Sequence, residues 1–132
     1  MIIVDASALI PLLMEYQEES DDIEEAMQRM GWEPLGAPHL IDLEVAHIVR
    51  RLLRAERINE RVASGALSGI MEMRLSRFPH DLLLPRIWQL RHILSAYDAA
   101  YLALAETLEV PLVTRDHAMA ISQTTAEVVV IA

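Results

Sequence analysis

Short apolar runs alternate with longer amphipathic stretches along this chain, and the alternation predicts strands and helices in turn. Ile2 to Val4 is a short strand-like run, and Ala6 to Met14 reads as a helix. Ser20 to Met30 reads as a polar helix ending near Gly31, and Leu35 to Ala37 as a short strand. Pro38 is placed to open the next helix. The pattern carries that helix to about Arg57, with Ile41, Val45, Ile48 and Leu52 on one face. Asn59 is placed to cap a further helix toward Arg74, although Gly65 and Gly69 weaken it. Leu82 to Leu84 reads as a strand before a helix from Pro85, and Asp98 to Leu108 as a strong helix. Leu112 to Thr114 reads as a strand, His117 to Ser122 as a short helix, and Val128 to Ile131 as a final strand.

Strands this short and apolar, separated by helices, predict an α/β fold: a mostly parallel central sheet with helices on both faces. A chain of 132 residues suits one such domain, from 1 to 132. In parallel sheets ligands bind beyond the carboxyl ends of the strands, and two of those ends carry similar chemistry. Asp5-Ala6-Ser7 follows the first strand, and Thr114-Arg115-Asp116 ends the penultimate one. Each sets a carboxylate and a hydroxyl two residues apart.

Two further acids border apolar surface. Asp98 heads the segment from Ala99 to Ala105, which has no charge and so reads as a buried helix. Glu44 has Leu40 and Ile48 one turn before and after it, whereas Asp42 projects about 160° away around the same helix. Each acid also has a simple structural role. Asp5 or Ser7 can cap the first helix, Ser95 and Asp98 have capping-box spacing, and Asp116 can cap the short helix after it. Glu44 can be a surface residue beside His47. Convergence would be different, because two carboxylates about 4 Å apart repel by about 4 kcal/mol at an effective dielectric near 20. Four acids together need bound cations or shifted pKa values.

Composition narrows the chemistry. The chain has no cysteine, which excludes disulfides, thiolate metal sites and cysteine nucleophiles and suits a reducing compartment. The start has no basic flank of the secretory kind, and no apolar run approaches the length of a membrane span, so a cytoplasmic location is expected. The net charge of −9 is concentrated: seven of the 20 acids lie between Glu15 and Glu25, leaving 13 against 11 bases elsewhere. That stretch reads as a solvated helix face. All 11 bases are arginine, whose planar fork matches phosphate oxygens, although genomic base composition explains the bias as simply. The five histidines (His39, His47, His80, His92, His117) do not pair at metal-ligand spacing. No glycine-rich phosphate loop is present. An all-oxygen donor set suits Mg²⁺, with Mn²⁺ as a substitute.

Met1-Ile2-Ile3-Val4-Asp5-Ala6-Ser7-Ala8-Leu9 resembles the opening of PIN-domain proteins. Ser95-Ala96-Tyr97-Asp98-Ala99-Ala100-Tyr101-Leu102-Ala103-Leu104-Ala105-Glu106 resembles their central block, and Pro111-Leu112-Val113-Thr114-Arg115-Asp116 their last acidic block. Leu43-Glu44-Val45 fits their internal glutamate. The resemblance runs the length of the chain and is strongest to the VapC toxins of bacterial toxin–antitoxin modules. It implies a PIN-like three-layer fold, a homodimer, and a cognate antitoxin whose tail occupies the active-site groove. It also implies metal-dependent endoribonuclease activity. Asp5, Asp98 and Asp116 would then hold the metal with Glu44 completing the cluster, and Ser7 and Thr114 would steady them. Arg50, Arg51 and Arg54, with Arg57 beyond, lie on one helix where they would guide an RNA backbone. Arg86 and Arg91 are alternatives, for substrate or antitoxin. Ile93 stands where the family often has asparagine, and the stretch from Glu15 to Trp32 matches nothing specific. The competing reading is a non-catalytic PIN-like module that binds RNA or a protein partner. A phosphotransferase using Asp5 as nucleophile would want a lysine, and the chain has none.

Overall fold

The structure is a computed structural model, which describes residues 1–14, 28 and 30–131. Five strands form one sheet: β1 (Ile2–Val4), β2 (Leu35–Pro38), β3 (Leu75–Phe78), β4 (Leu112–Thr114) and β5 (Val128–Val130). Their order is β3-β2-β1-β4-β5, and every pairing is parallel. The register sets Ile3 beside Gly36 on one side and Leu112 on the other. Chain order therefore reverses direction across the sheet between β1 and β4. Ligand crevices form at such a reversal, where the connections leaving two neighbouring strands diverge.

The helices are α1 (Ala6–Leu13), α2 (Ile41–Arg54), α3 (Glu60–Glu72), α4 (Leu84–Gln89) and α5 (Ala96–Leu108). Helix α5 is buried at every position from Ala99 to Ala105 and packs against β1, β2 and β4. Its small alanines permit close approach to the sheet, while Tyr101, Leu102 and Leu104 fill the remaining volume. Helix α2 buries Ile41, Val45 and Val49 at successive turns, with Ile48 packed alongside. Asn59 caps α3 by accepting from the Val62 N–H at 2.9 Å. Gly69 is tolerated inside α3 because its bare backbone admits Leu13: a Cβ there would meet Leu13 Cδ2 at 3.1 Å.

The structure departs from the sequence expectations in several places. Pro38 ends β2 rather than opening a helix, and α2 begins only at Ile41 and stops at Arg54. At the end of a strand, the missing proline N–H removes little from the ladder. Leu82 to Leu84 is no strand: a 3-10 turn spans Asp81–Leu83, and Leu82 and Leu84 are largely exposed. The strand in that region is β3, whose half-buried Leu75 and Phe78 flank Ser76 and Arg77. The expected helix after Asp116 is a single 3-10 turn, His117–Met119. The expected polar helix from Ser20 to Met30 lies almost wholly outside the described residues. Among the described residues no helix is long and apolar enough to cross a membrane.

Candidate active site

Asp5 leaves β1 at the reversal of strand order and is 5% exposed. It caps α1, taking the Ala8 N–H on Oδ1 at 3.0 Å. Capping alone does not require burial, and Asp5 is held by more. Ser7 Oγ donates to Oδ1 at 2.6 Å, and the hydroxyl of fully buried Thr114 donates to Oδ2. Ser7 Oγ in turn accepts the Arg115 N–H at 2.9 Å, and Thr114 Oγ1 accepts the Asp116 N–H at 3.0 Å. The two hydroxyls thus lock the carboxyl ends of β1 and β4 together and fix where Asp116 begins. Asp116 Oδ1 accepts from the Ala118 N–H at 2.9 Å, which starts the 3-10 turn.

Asp98 sits in the first turn of α5, where Ser95 caps the helix by accepting the Asp98 N–H at 3.1 Å. Glu44 sits in the first turn of α2. All three of Asp5, Glu44 and Asp98 are pushed above the ordinary carboxylate range, and in each case burial is the main cause. For Glu44 the carboxyl rises to about 7, with the charges of Asp98 and Asp5 adding to burial. Asp98 is raised further by Asp116 and Asp5. The hydrogen bonds from Ser7, Thr114 and Ala8 oppose the rise at Asp5, and Asp116 adds to it. The charge of Asp116 thus bears on Asp5 and Asp98, and the charges of Asp5 and Asp98 bear on Glu44.

Asp42 is separate, as its position on α2 predicts. Arg77 grips it from β3, with Nε to Oδ2 at 2.8 Å and Nη2 to Oδ1 at 2.7 Å. Among the described residues, no three Asp, Glu, His or Cys side chains close into a group that holds an ion by itself. Glu44 Oε1 is buried and has no hydrogen-bond partner among the described residues.

Sequence reasoning overlooked Tyr101. It lies one turn after Asp98, is fully buried, and its hydroxyl also lacks a partner among the described residues. The charges of Glu44, Asp5 and Asp98 all reach it. The three-residue spacing from Asp98 was the available signal, but the residue reads as one more member of an apolar run.

The arginines divide. Arg50, Arg51 and Arg54 are exposed, and Arg51, seven residues after Glu44, returns to the Glu44 side of α2. Arg86 has its fork filled: Nε meets Glu106 Oε2 at 2.9 Å, and Nη2 reaches the Gln123 carbonyl at 2.6 Å. It clamps α4 to α5 instead of facing a ligand. Arg91 lies over the Trp88 ring at 4.8 Å from its centroid. Ile93 is 45% exposed in the turn before α5.

Comparison with known proteins identifies the family and the fold. The PIN-domain family model matches residues 2–122. The chain belongs to the PIN-domain family. Ribonuclease VapC9 of Mycobacterium tuberculosis is 40% identical over 116 residues, covering 88% of this chain and 86% of that protein, which places the chain among the VapC relatives. Among solved structures, a Pyrobaculum aerophilum protein superposes with a TM-score of 0.68 at 25% identity, covering 96% of this chain and 81% of the other. A toxin–antitoxin complex from Klebsiella pneumoniae contains a chain with the same fold, at a TM-score of 0.64 and 22% identity, covering 98% of this chain and 96% of the other.

Proposed function

We propose that this PIN domain is the toxin of a toxin–antitoxin module and hydrolyses RNA phosphodiester bonds with a divalent cation held by Asp5, Glu44, Asp98 and Asp116. The observation that carries the reading is the gathering of these acids about the reversal of strand order, three of them raised by burial and by neighbouring carboxylates. The similarity to VapC9, named a ribonuclease, supports RNA as the substrate. The oxygen-only donor set favours Mg²⁺, with Mn²⁺ as a substitute. When bound, the cation neutralises charge on the phosphate and acidifies water.

The chain's own residues supply orientation. Ser7 and Thr114 hold both oxygens of Asp5, so its carboxylate does not have to reorganise when substrate arrives. Thr114 also fixes the start of the Asp116 turn. Arg51, with Arg50 and Arg54 on the same helix, supplies positive charge for the RNA backbone.

A cytoplasmic setting suits a cysteine-free chain. The Klebsiella complex supports an antitoxin as partner. A homodimer is what the family resemblance implies, and the exposed Leu82, Trp88 and Tyr97 are assigned to its interface.

The test is Mn²⁺-dependent cleavage of total RNA by purified, antitoxin-free protein, comparing wild type with Asp98→Asn. Asn keeps the shape and the helix start but removes the charge. Cleavage is expected to fall by orders of magnitude while circular dichroism stays native. Full activity in Asp98→Asn would sink the assignment, and a wild-type protein that binds RNA without cutting it would favour the non-catalytic module.

A further inference from the structure

Two buried side-chain atoms lack a hydrogen-bond partner among the described residues, and they belong to complementary groups. One is Glu44 Oε1 on α2, an acceptor when ionised. The other is the Tyr101 hydroxyl on α5, a donor. Tyr101 is fully buried, and phenylalanine would fill nearly the same volume. Leaving a buried hydroxyl unpaired costs roughly 1–3 kcal/mol, so the oxygen is a burden to the fold unless something uses it. Its place on α5, one turn beyond Asp98, directs it to the side of the helix that faces the acids.

We propose that the Tyr101 hydroxyl is a positioning group for Glu44, donating to its otherwise unpartnered oxygen through one bridging water. This rests on the reading of Glu44 as part of the cation site. Besides burial, the charges of Glu44, Asp5, Asp98 and Asp42 all bear on Tyr101. A phenol keeps its proton at neutral pH by its own chemistry and so serves as donor. With one oxygen engaged, Glu44 turns the other toward the site, and its rotamer freedom is spent before the cation arrives. Outer contacts of this kind typically change metal affinity by about 10- to 100-fold.

The experiment measures Mn²⁺ affinity, by the electron paramagnetic resonance signal of free Mn²⁺, for wild type, Tyr101→Phe, Glu44→Gln, the double variant and Asp98→Asn. Thermal melts without metal verify the fold of each. Tyr101→Phe is expected to weaken Mn²⁺ binding by roughly 10-fold, and the double variant is expected to bind no worse than Glu44→Gln alone. That non-additivity is the signature of action through Glu44, which a purely structural tyrosine would not produce. Wild-type affinity in Tyr101→Phe overturns the proposal, and so does an equal loss in the Glu44→Gln background. If Asp98→Asn weakens binding while Tyr101→Phe does not, only this inference falls. If Asp98→Asn also binds as wild type, the cation site itself falls and the inference with it.

Discussion

The hydroxyl of Thr114 at the end of β4 donates to Asp5 Oδ2 at the end of β1. One hydrogen bond thereby joins the two strands that flank the reversal of strand order, and it sets the aim of a buried carboxylate. The same oxygen accepts the Asp116 N–H, so Thr114 serves two acids at once. Thr114→Val keeps the shape and removes both bonds. Loss of a hydrogen bond that lowers the Asp5 pKa lets that pKa rise further. The acid limb of the pH–cleavage profile is expected to move to higher pH, with a stability loss of about 1–3 kcal/mol from newly unpaired groups. An unshifted profile would mean that Thr114 only joins the strands.

Stability of the metal-free protein is expected to fall as pH rises. Glu44 titrates near 7 in the fold against 4.5 as its ordinary value, so the folded chain binds a proton that the unfolded chain releases. Its contribution is full below about pH 4.5 and is lost as pH climbs through about 7. Asp5 and Asp98 are raised as well and act with the same sign. Melts in chelator at pH 5 and pH 8 test this, with the lower melting temperature expected at pH 8. Mg²⁺ is expected to reverse most of the loss, because a cation favours the ionised acids. Glu44→Gln is expected to flatten the dependence, and a profile as steep as wild type in that variant would exclude Glu44 as its source.

How much of this was legible in the sequence depends on the range of the interactions. Asp5, Ser7, Thr114 and Asp116 were readable because strands as short as Ile2–Val4 and Leu112–Thr114 have unmistakable ends, and chemistry gathers there. The buried α5 was readable from its uncharged run. Strand β3 was not, because Arg77 interrupts its four residues and its burial comes from pairing with β2. Leu82 and Leu84 imitated a strand because an exposed apolar patch and a buried strand look alike in one dimension. Arg86 was offered as a ligand contact because its partner, Glu106, lies 20 residues away. The Tyr101 hydroxyl was invisible for a related reason, since only folding brings it within reach of the charge of Glu44.

The Asp42–Arg77 pair predicts an effect on stability without one on cleavage. Arg77 binds both Asp42 oxygens and also donates to the Ile70 carbonyl at 3.2 Å, which ties α2, α3 and β3 together. Both side chains are partly exposed, so screening limits the gain, and Arg77→Ala is expected to cost about 1 kcal/mol. Cleavage per folded molecule is expected to stay at the wild-type level, because both Asp42 oxygens are already taken by Arg77. A drop in turnover with an unchanged melting temperature would place this pair in the site instead.

The arginines give a prediction that separates electrostatic guidance from structural clamping. Arg50, Arg51 and Arg54 are exposed on α2, and among the described residues none is engaged in an ion pair. Arg86 is half-buried and bound to Glu106. If the α2 arginines meet the RNA backbone, each lost phosphate contact reduces the salt dependence of binding by about 0.7 in the log–log slope for a single strand. Arg51→Ala is expected to show that change most clearly, since Arg51 lies on the Glu44 side, and the triple alanine variant is expected to show the largest. Arg86→Ala is expected to lower the melting temperature and leave the slope alone, because its charge is already neutralised by a carboxylate. The measurement is RNA affinity in metal-free buffer across a series of salt concentrations, with melts in parallel. A slope that falls in Arg86→Ala and stays constant in the α2 variants would reverse the assignment, and would move the RNA path from α2 to the junction of α4 and α5.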